Sequence, residues 1–542
     1  MPLNKQLKWW QEMILYQVYP RSLRDTSGNG VGDLTGIREK VELFSQFLGV
    51  DALWLSPVHP SPQLDHGYDI SDYTAIDPAM GTLDDFDALV TEARRSGMRI
   101  IMDGVFNHCS DRHPWFQSAL HHPEAGTRDY FVWHTEDEPP NNWGSVMGGS
   151  AWSWSPTARA HYLHSFLPQQ PDLNWHSPRL VEEVLQIMRF WLDRGIGGFR
   201  LDVFNCYAKD IHRRSNPSRS GVVAWLARRA WPYGGQEHIY DRDRPELADI
   251  LGRMRELAES YDAVLLGETL DEQFRYDNAA QWVGPRGLHM AFHFGLLQCS
   301  WDARAMGRAI QAWSSDLGED GWPTWVLSNH DFVRQATRWG GRHREARMRL
   351  AAMMLLSLRG SPCLYQGEEI GMVQGRIPRS KIQDPAGRKF WPFYRGRDGC
   401  RTPMQWDSSP HGGFSTAEPW LPVNPDWSSR NVDTQIQDGR SLIHLYRDLI
   451  ALRKGHAALS RGTMQLVDPD HPHILSWRRE HDDEHLLVAL NLSARSQSLS
   501  VDPETVGEVL ISTHEEPRDT HSPHILQPHE GRIIRLRAAH QS

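Results

Sequence analysis

The sequence has few cysteines, and none of them lies in a motif that pairs thiols or binds a metal. Its five cysteines in 542 residues are odd in number and far apart, and no CxxC pair is present. This pattern is typical of a reducing compartment rather than of a disulfide-stabilised secreted protein. The 28 histidines show no zinc-ligand spacing. We therefore expect a cytoplasmic protein.

Long apolar runs and blocks of like charge are also missing. No stretch of about 18 apolar residues is present, and the opening MPLNKQLKWWQEMILYQVYP lacks the segments of a signal peptide. The net charge of −10 comes from interspersed charges without a basic block. These absences argue against a membrane and against nucleic acid as partners. We expect small neutral substrates, and a monomer or a small homo-oligomer.

The sequence does contain short apolar runs that end in polar residues. They are MILYQVYP (13–20), ALWLSPV (52–58), RIIMDGVFNH (99–108), GGFRLDVFN (197–205), AVLLGET (263–269), HMAFHF (289–294), TWVLSNHD (324–331) and SPCLYQGEE (361–369). Helical spacings of three and four residues lie between some of them, at Ile37, Val41, Phe44 and Leu48, at Phe86, Leu89, Val90 and Ala93, and at Val181, Val184, Leu185, Met188 and Trp191. The alternation predicts an α/β fold of the (β/α)₈ (TIM) barrel type. A doubly wound sheet is the rival, but no glycine-rich dinucleotide fingerprint follows any run.

Two long irregular stretches and a change of period divide the chain. The barrel is expected to take residues 1–107 and 175–461. About 65 residues rich in Trp, Pro, Gly and His follow the third run, which predicts an inserted domain at 108–174. Another irregular excursion, 366–430, follows the eighth strand. From 462 to 542, runs such as HILSWRRE alternate with a period of two, which predicts a C-terminal antiparallel β-sandwich domain.

Polar residues end four of the eight predicted strands. Catalytic groups of a barrel lie at the C-terminal ends of its strands. The residues found there are His108, Asp202, Glu268 and Asp331, after the third, fourth, fifth and seventh strands. We expect them to converge on one mouth, where crowding of like charges raises the pKa of one carboxyl group.

Two of these acids suit the cleavage of a glycosidic bond. That reaction takes one carboxylic acid to protonate the leaving oxygen and a second carboxylate to attack. Asp202 and Glu268 would lie on adjacent strands, roughly 4.8 Å apart, and could reach the separation of about 5–5.5 Å that suits retention of configuration. Arg200, two residues before Asp202 and on the same face, is expected to keep that carboxylate ionised. A purely structural ion pair is the alternative.

Several motifs resemble those of one enzyme family. The stretches DGVFNH, GFRLDV, GET and SNHD resemble, in order and at suitable spacing, four signatures of glycoside hydrolase family 13, the α-amylase family. QPDLN (170–174) resembles a fifth, and GSPCLYQGEEIG and CRTPMQWD strengthen the likeness. The chain is most similar to the oligo-1,6-glucosidase and α-glucosidase branch. This resemblance implies a retaining α-glucosidase that needs no organic cofactor.

The resemblance also implies roles for the site residues. Asp202 is the nucleophile, Glu268 the general acid and base, and Asp331 the stabiliser that grips the sugar hydroxyls. Around the same glucose, His108, His330 and Arg200 are implied to hold hydroxyls and carboxylates. Tyr68 is implied to be the stacking platform under the ring. Asp65 and Arg401 are implied to contact its 4-hydroxyl. A pocket closed behind one sugar implies an exo-acting enzyme that removes single glucose units from chain ends.

The residue after the nucleophile informs linkage preference in this branch. Valine there accompanies α-1,6 activity, whereas alanine or threonine accompanies α-1,4 activity, so Val203 favours isomalto-oligosaccharides. One methyl-sized difference is worth only about 1–3 kcal/mol. An α-1,4 preference, transglucosylation and sucrose isomerisation therefore stay open, and the loop 205–246 is expected to border the acceptor side. A non-catalytic binding homologue is a remote alternative, because such chains usually lack acids of the triad.

A glycine-rich stretch near the start resembles a calcium loop. In DTSGNGVGD, the candidate oxygen ligands are Asp25, Ser27, Asn29, the Val31 carbonyl and Asp33. The branch usually reads D-x-N-x-D-G-x-G-D, and here Ser and Asn stand at the second and third ligand positions. A structural Ca²⁺ or Mg²⁺ is expected, with a metal-free glycine-rich turn as the alternative.

Overall fold

The chain alternates strands and helices and then continues as strands alone. A computed structural model describes residues 7–221, 231–270, 276–318, 321–514 and 524–537. Its strands, numbered in chain order, are β1 (Leu15–Val18), β2 (Ala52–Leu55), β3 (Arg99–Gly104), β4 (Trp133–His134), β5 (Trp152–Ser155), β6 (Ala160–Leu163), β7 (Gly198–Leu201), β8 (Val264–Gly267), β9 (Met290–His293), β10 (Thr324–Val326), β11 (Ser361–Tyr365), β12 (Thr463–Val467), β13 (Ile474–His481), β14 (Glu484–Asn491), β15 (Gln497–Ser498), β16 (Val506–Ser512), β17 (Ile525–Leu526) and β18 (Gly531–Leu536). The α-helices are Trp9–Glu12, Leu34–Arg38, Leu83–Arg95, Pro114–His121, Pro178–Asp193, Leu247–Ser260, Gly295–Gln298, Ala303–Leu317, Gln335–Arg338, Arg344–Ser357, Pro385–Lys389, Val432–Gln437, Leu442–Gly455 and Ala457–Ser460. Within these described ranges, no helix is long and apolar enough to cross a membrane.

Eight of the strands form one closed parallel barrel. Their order around the ring is β1, β2, β3, β7, β8, β9, β10 and β11, and β11 pairs with β1 to close it. Both faces of these strands are buried, which is why they read as continuous apolar runs. Leu15, Trp54 and Phe292 belong to one of the two apolar clusters that the strands contribute to. The predicted (β/α)₈ barrel is confirmed, and the doubly wound alternative is wrong.

Two of the three predicted helical patterns form single helices. They lie on Leu83–Arg95 and Pro178–Asp193, whose apolar positions are buried. The first begins with a capping box, in which Thr82 and Asp85 bond reciprocally to each other's backbone N–H. These local signals agree with the apolar spacing, so both helices are predictable from the sequence.

The pattern that runs to Leu48 is different. It predicts one helix, but the chain forms the short helix Leu34–Arg38 and then a π-helical segment, Leu43–Leu48. Ser45 Oγ donates to the carbonyl of Val41 at 2.9 Å, and such side-chain bonds compete with the regular helical backbone. The apolar positions are buried as expected, although the backbone winding changes.

The segment between β3 and β7 contains a small antiparallel sheet. In this sheet, β6 pairs with both β4 and β5. The two ends of the segment meet, because His108 and Asp172 form an antiparallel bridge. The segment therefore leaves the barrel and returns to it beside the end of β3. Its predicted limits, 108–174, stay a prediction, as do the limits 366–430 of the excursion after β11.

The C-terminal part is an antiparallel sheet, as predicted. Its five strands follow the order β12, β13, β14, β18 and β16, and β15 pairs with β17 in a second, two-stranded sheet. One apolar cluster contains residues of both sheets, including Leu487, Leu526 and Ile534. The Arg479 guanidinium donates at 2.7 Å to the carbonyl of Ser357, which joins the sheet to a barrel helix. The sandwich limits 462–542 stay a prediction.

Candidate active site

The two acids predicted to react with a glycosidic bond lie at the ends of paired strands. Asp202 directly follows β7 and Glu268 directly follows β8, and these two strands are parallel neighbours. Both side chains are almost buried, with 9% and 8% of their surface exposed. Arg200 lies between them: one of its nitrogens is 2.7 Å from Asp202 Oδ1, and another contacts Glu268 Oε2. The predicted convergence of these acids is therefore present, while their separation of about 5–5.5 Å stays a prediction.

Arg200 takes part in a larger cluster than the sequence indicated. Its Nη1 also lies 2.6 Å from Oδ1 of Asp103, which is its register partner on β3. The guanidinium faces the ring of Trp54 at 5.0 Å and is fully buried. Sequence reasoning missed Asp103, although it opens the DGVFNH motif. Asp103 could have been recognised from the sequence, because it is the first residue of that motif and lies near the end of β3.

Burial is the largest influence on the charge of Asp202. It raises the pKa of this carboxyl to about 6, although Arg200 lowers it and Asp103 raises it further. Arg200 thus acts in the predicted direction, but burial outweighs it. At neutral pH the carboxylate is still mostly ionised, as a nucleophile requires.

Asp331 stays ionised at a lower pH than Asp202. Burial raises the pKa of Asp331, but a neighbouring histidine and two arginines lower it by more. Oδ1 lies 2.7 Å from Arg401 Nη2 and 3.3 Å from Arg397 Nη1. Oδ2 lies 3.1 Å from His330 Nε2. The third predicted acid is therefore a fixed negative charge, close enough to Asp202 to raise the pKa of that carboxyl.

A stacked tyrosine and histidine connect Asp331 with Asp103. The rings of Tyr68 and His330 are nearly parallel, with centroids 5.6 Å apart, and Tyr68 Oη lies 2.6 Å from His330 Nε2. Gln17 Nε2 donates to His330 Nδ1 at 2.7 Å, so the ring proton is on Nε2, facing Asp331. Tyr68 Oη donates in turn to Asp103 Oδ2 at 3.0 Å. Burial lowers the pKa of His330 to about 3, so its ring is neutral.

Asp65 forms an ion pair with Arg397, a residue that the sequence analysis did not name. Arg397 Nη2 lies 2.8 Å from Asp65 Oδ1, whereas Arg401 donates to Asp331 and to the His330 carbonyl. Asp65 is thus paired with Arg397, and the predicted contact of Asp65 and Arg401 with the 4-hydroxyl of glucose stays a prediction. Asp384, which sequence analysis also missed, accepts from the backbone N–H and the guanidinium of Arg397 at 2.5–3.2 Å. Arg397 and Arg401 both occur in RGRDGCR, so the sequence does not show which of them contacts Asp65.

His108 and the QPDLN motif form another wall of the same site. Gln170 Nε2 lies 3.2 Å from Asp65 Oδ2 and 3.1 Å from His108 Nε2. His108 Nε2 also lies 3.1 Å from the backbone carbonyl of Tyr68. The segment that returns from the small sheet therefore forms part of the site.

Val203 has an unusual backbone conformation next to Asp202. Its φ of 36° and ψ of 41° are left-handed, which is rare for a β-branched residue and typical of strained functional positions. Its side chain belongs to a small apolar cluster with Met147, Phe166 and Cys206, against which Leu270, Ala386, Leu167 and Val146 pack. Of the predicted acceptor loop 205–246, residues 222–230 lie outside the described residues.

The glycine-rich loop at 25–33 is closed by its own hydrogen bonds. Asp25 accepts from the N–H groups of Gly28 and Gly30 at 2.8 and 2.7 Å, and from Ser415 Oγ at 2.6 Å. Asp33 Oδ2 accepts from the N–H of Thr26 at 2.7 Å. Two further predicted ligands are engaged as well: Ser27 Oγ donates to Asp25 and Asn29 Oδ1 accepts from the Val31 N–H. Calcium takes six to eight oxygens, so these residues fit the alternative of a metal-free turn better.

Comparison with known proteins agrees with this architecture. Residues 17–462 match the family described as "Alpha amylase, catalytic domain", and residues 464–533 match "Maltogenic Amylase, C-terminal domain". The chain is 42% identical to a probable alpha-glucosidase of Rhizobium meliloti (strain 1021), over 90% of this chain and 89% of that protein. It is 35% identical to an oligo-1,6-glucosidase of Parageobacillus thermoglucosidasius, over 98% and 99%. The crystal structure of the α-glucosyl transfer enzyme XgtA has a TM-score of 0.91 and 39% identity, over 98% of this chain and 100% of that one. The chain therefore belongs to the α-amylase family, glycoside hydrolase family 13.

Proposed function

We propose that the protein is a retaining, exo-acting α-glucosidase of short α-glucosides. The observation that carries this proposal is the bridging of Asp202 and Glu268 by one buried arginine, at the ends of two paired strands. Asp202 attacks the anomeric carbon while Glu268 gives its proton to the leaving oxygen, and a glycosyl–enzyme ester forms. Glu268 then takes a proton from water, which attacks the same carbon and releases Asp202. Each of the two steps inverts the configuration at the anomeric carbon, so the product keeps the configuration of the substrate.

The surrounding charges serve the same reaction. Asp331 is held ionised by Arg401 and Arg397, so it can accept hydrogen bonds from two sugar hydroxyls and stabilise positive charge on the ring. Tyr68 provides a flat face for the glucose ring. Asp65 and Arg397 offer an acceptor and a donor to its far hydroxyl. A charged wall behind one sugar supports removal of terminal glucose rather than internal cleavage.

The linkage cleaved is proposed from one residue. Val203 supports a preference for α-1,6 bonds, because valine at this position accompanies that activity in the branch. Transfer of glucose to a second sugar is a second candidate reaction, supported by the 39% identity to an α-glucosyl transfer enzyme. In that reaction a sugar hydroxyl replaces water in the second step, with the same proton transfer to Glu268.

The remaining proposals concern location and partners. All five cysteines are free, which supports a reducing, cytoplasmic location. The proposed partners are small sugars, with neither nucleic acid nor membrane, and no organic cofactor is needed for the two proton transfers. The relatives compared above are named for activity on glucosides.

Replacement of the nucleophile tests the proposal. Asp202→Asn keeps the shape but removes the attacking charge, so hydrolysis of an aryl α-glucoside should fall at least about 1,000-fold, about 4 kcal/mol of barrier. Circular dichroism should be unchanged, and Asp137→Asn, an exposed aspartate, is the matched control. Activity of Asp202→Asn within tenfold of wild type would refute the nucleophile. Proton NMR should show α-glucose as the first product; initial β-glucose would refute retention.

A further inference from the structure

The side chain of Asn205 joins the segment after the nucleophile to the segment after the acid. Asn205 lies three residues after Asp202, in the 3₁₀ helix Phe204–Cys206, and only 1% of its surface is exposed. Its Oδ1 accepts from the N–H of Leu270 at 2.9 Å, and its Nδ2 donates to the carbonyl of the same residue at 3.1 Å. Leu270 in turn lies two residues after Glu268. One amide therefore connects the two segments that carry the reacting carboxyl groups.

These bonds continue the pairing of β7 with β8 beyond the ends of both strands. The N–H of Glu268 donates to the carbonyl of Leu201 at 3.0 Å, and the carbonyl of Glu268 accepts from the N–H of Phe204 at 3.2 Å. The bonds between parallel strands are evenly spaced along the backbone, and the Asn205 amide supplies the next ones, to Leu270. The backbone that carries Glu268 is therefore fixed to the segment after the nucleophile.

The partners of the Asn205 amide determine its orientation. The N–H of Leu270 can only donate and its carbonyl can only accept, so Oδ1 faces the former and Nδ2 the latter. Nδ2 also donates to Asp243 Oδ2 at 3.2 Å, so both of its protons are used. Arg242 Nη1 donates to the same Leu270 carbonyl at 2.9 Å. The group that loses its partner when Asn205 is truncated is therefore the N–H of Leu270.

The position of Glu268 matters in both steps of the proposed reaction. A general acid must come within about 2.6–3.2 Å of the oxygen that it protonates. A displacement of about 1 Å can cost about 100-fold in rate. Glu268 directly follows the end of β8, so its position depends on the backbone beyond the strand as well as on the strand itself. The Asn205 amide holds that backbone.

We propose that Asn205 is a positioning residue that keeps the carboxyl group of Glu268 aligned with the glycosidic oxygen. In this role it neither transfers a proton nor binds the sugar, because it acts through Glu268. The proposal rests on the proposed α-glucosidase function, in which Glu268 is the acid and the base. The alternative is that Asn205 contributes to the stability of the fold alone.

The test compares two substrates that differ in their need for a proton. The 4-nitrophenolate of 4-nitrophenyl α-glucoside leaves readily without protonation, whereas the phenolate of phenyl α-glucoside depends on it. In Asn205→Ala, kcat/KM should fall more for the phenyl glucoside, so that the ratio of phenyl to 4-nitrophenyl glucoside falls at least about tenfold. A loss of folded protein would lower both values equally and cancel in the ratio.

Asn491→Ala is the matched control. Asn491 is buried at the end of β14, and its amide also bonds backbone groups in both directions: it accepts from the N–H of Ser493 at 3.0 Å and donates to the carbonyl of Gln527 at 2.8 Å. Its loss should lower Tm but leave the ratio within twofold of wild type. Asn205→Ser, too short to bond both groups of Leu270, should show the same fall in the ratio if Asn205→Ala does not fold.

A double-mutant cycle shows whether Asn205 acts through Glu268. Glu268→Ala should lower the same ratio at least about 100-fold. Adding Asn205→Ala to it should change the ratio less than twofold, because no acid remains to be positioned. An unchanged ratio in the Asn205 variants, or a further tenfold fall in the double variant, would overturn the positioning role and leave the α-glucosidase standing. An unchanged ratio in Glu268→Ala would instead overturn the proposed function, in which Glu268 is the acid.

Discussion

Arg397 Nη2 lies 2.8 Å from Asp65 Oδ1 and joins two loops that are 332 residues apart in the chain. The same guanidinium contacts Asp384 and Asp331, so one arginine is in contact with three carboxylates at the mouth of the barrel. A planar guanidinium can serve several partners at fixed angles, which a lysine cannot.

We therefore predict that Arg397→Lys is a severe change. It keeps the positive charge but replaces the planar guanidinium by a single ammonium, which cannot keep the contacts with Asp65, Asp384 and Asp331 in the same geometry. We expect kcat/KM for an aryl α-glucoside to fall about 100-fold, with a higher KM. The control is Arg395→Lys, two residues earlier and exposed, which should stay within twofold of wild type. Equal effects of the two substitutions would contradict the assigned role of Arg397.

The pH dependence of activity should report Asp202. Because burial raises its pKa to about 6, the carboxylate gains a proton as the pH falls through 6 and can no longer attack. The profile of kcat/KM should therefore fall on the acid side with a midpoint near pH 6. Asp331 should not contribute to this limb, because its pKa is held well below the usual value.

A variant of Asp103 checks that assignment. The charge of Asp103 raises the pKa of Asp202, so Asp103→Asn should move the acid limb to lower pH even if the maximum rate falls. Measurement needs only initial rates on an aryl α-glucoside across pH 4–8. A limb that stays in place, or moves to higher pH, would show that another group controls it.

How much of this site the sequence predicts depends on which element carries each residue. Asp202 and Glu268 are predictable, because parallel strands of a barrel end at the same mouth and each acid directly follows an apolar run. The partner of Asp65 is not predictable from the sequence, because Arg397 and Arg401 lie in an irregular segment that has no regular spacing of apolar residues. Buried Asp384 selects Arg397, and that contact exists only in the folded chain. The pKa of Asp202 likewise depends on burial, which spacing does not reveal.

The loop at 25–33 should keep its stability without metal. Its carboxylates already accept backbone N–H groups, so 1 mM EDTA or added calcium should leave Tm unchanged within about 1 °C. An ion bound at 100 times its Kd would instead contribute about 2.7 kcal/mol. Ser415→Ala, which removes a hydrogen bond to Asp25, should lower stability by about 1 kcal/mol in either condition. Loss of several degrees in EDTA, restored by calcium, would contradict the metal-free turn.

Val203 should set the balance between α-1,6 and α-1,4 bonds. It follows the nucleophile in a left-handed conformation, and its side chain packs among apolar residues of the inserted segment and of the excursion after β11. Val203→Ala and Val203→Thr should lower the ratio of kcat/KM for isomaltose to that for maltose. A methyl-sized change is worth about 1–3 kcal/mol, so we expect roughly a tenfold change in the ratio. Because φ stays positive in both variants, a change in backbone strain should affect the two substrates equally and cancel in the ratio. A ratio within twofold of wild type in both variants would show that other residues select the linkage.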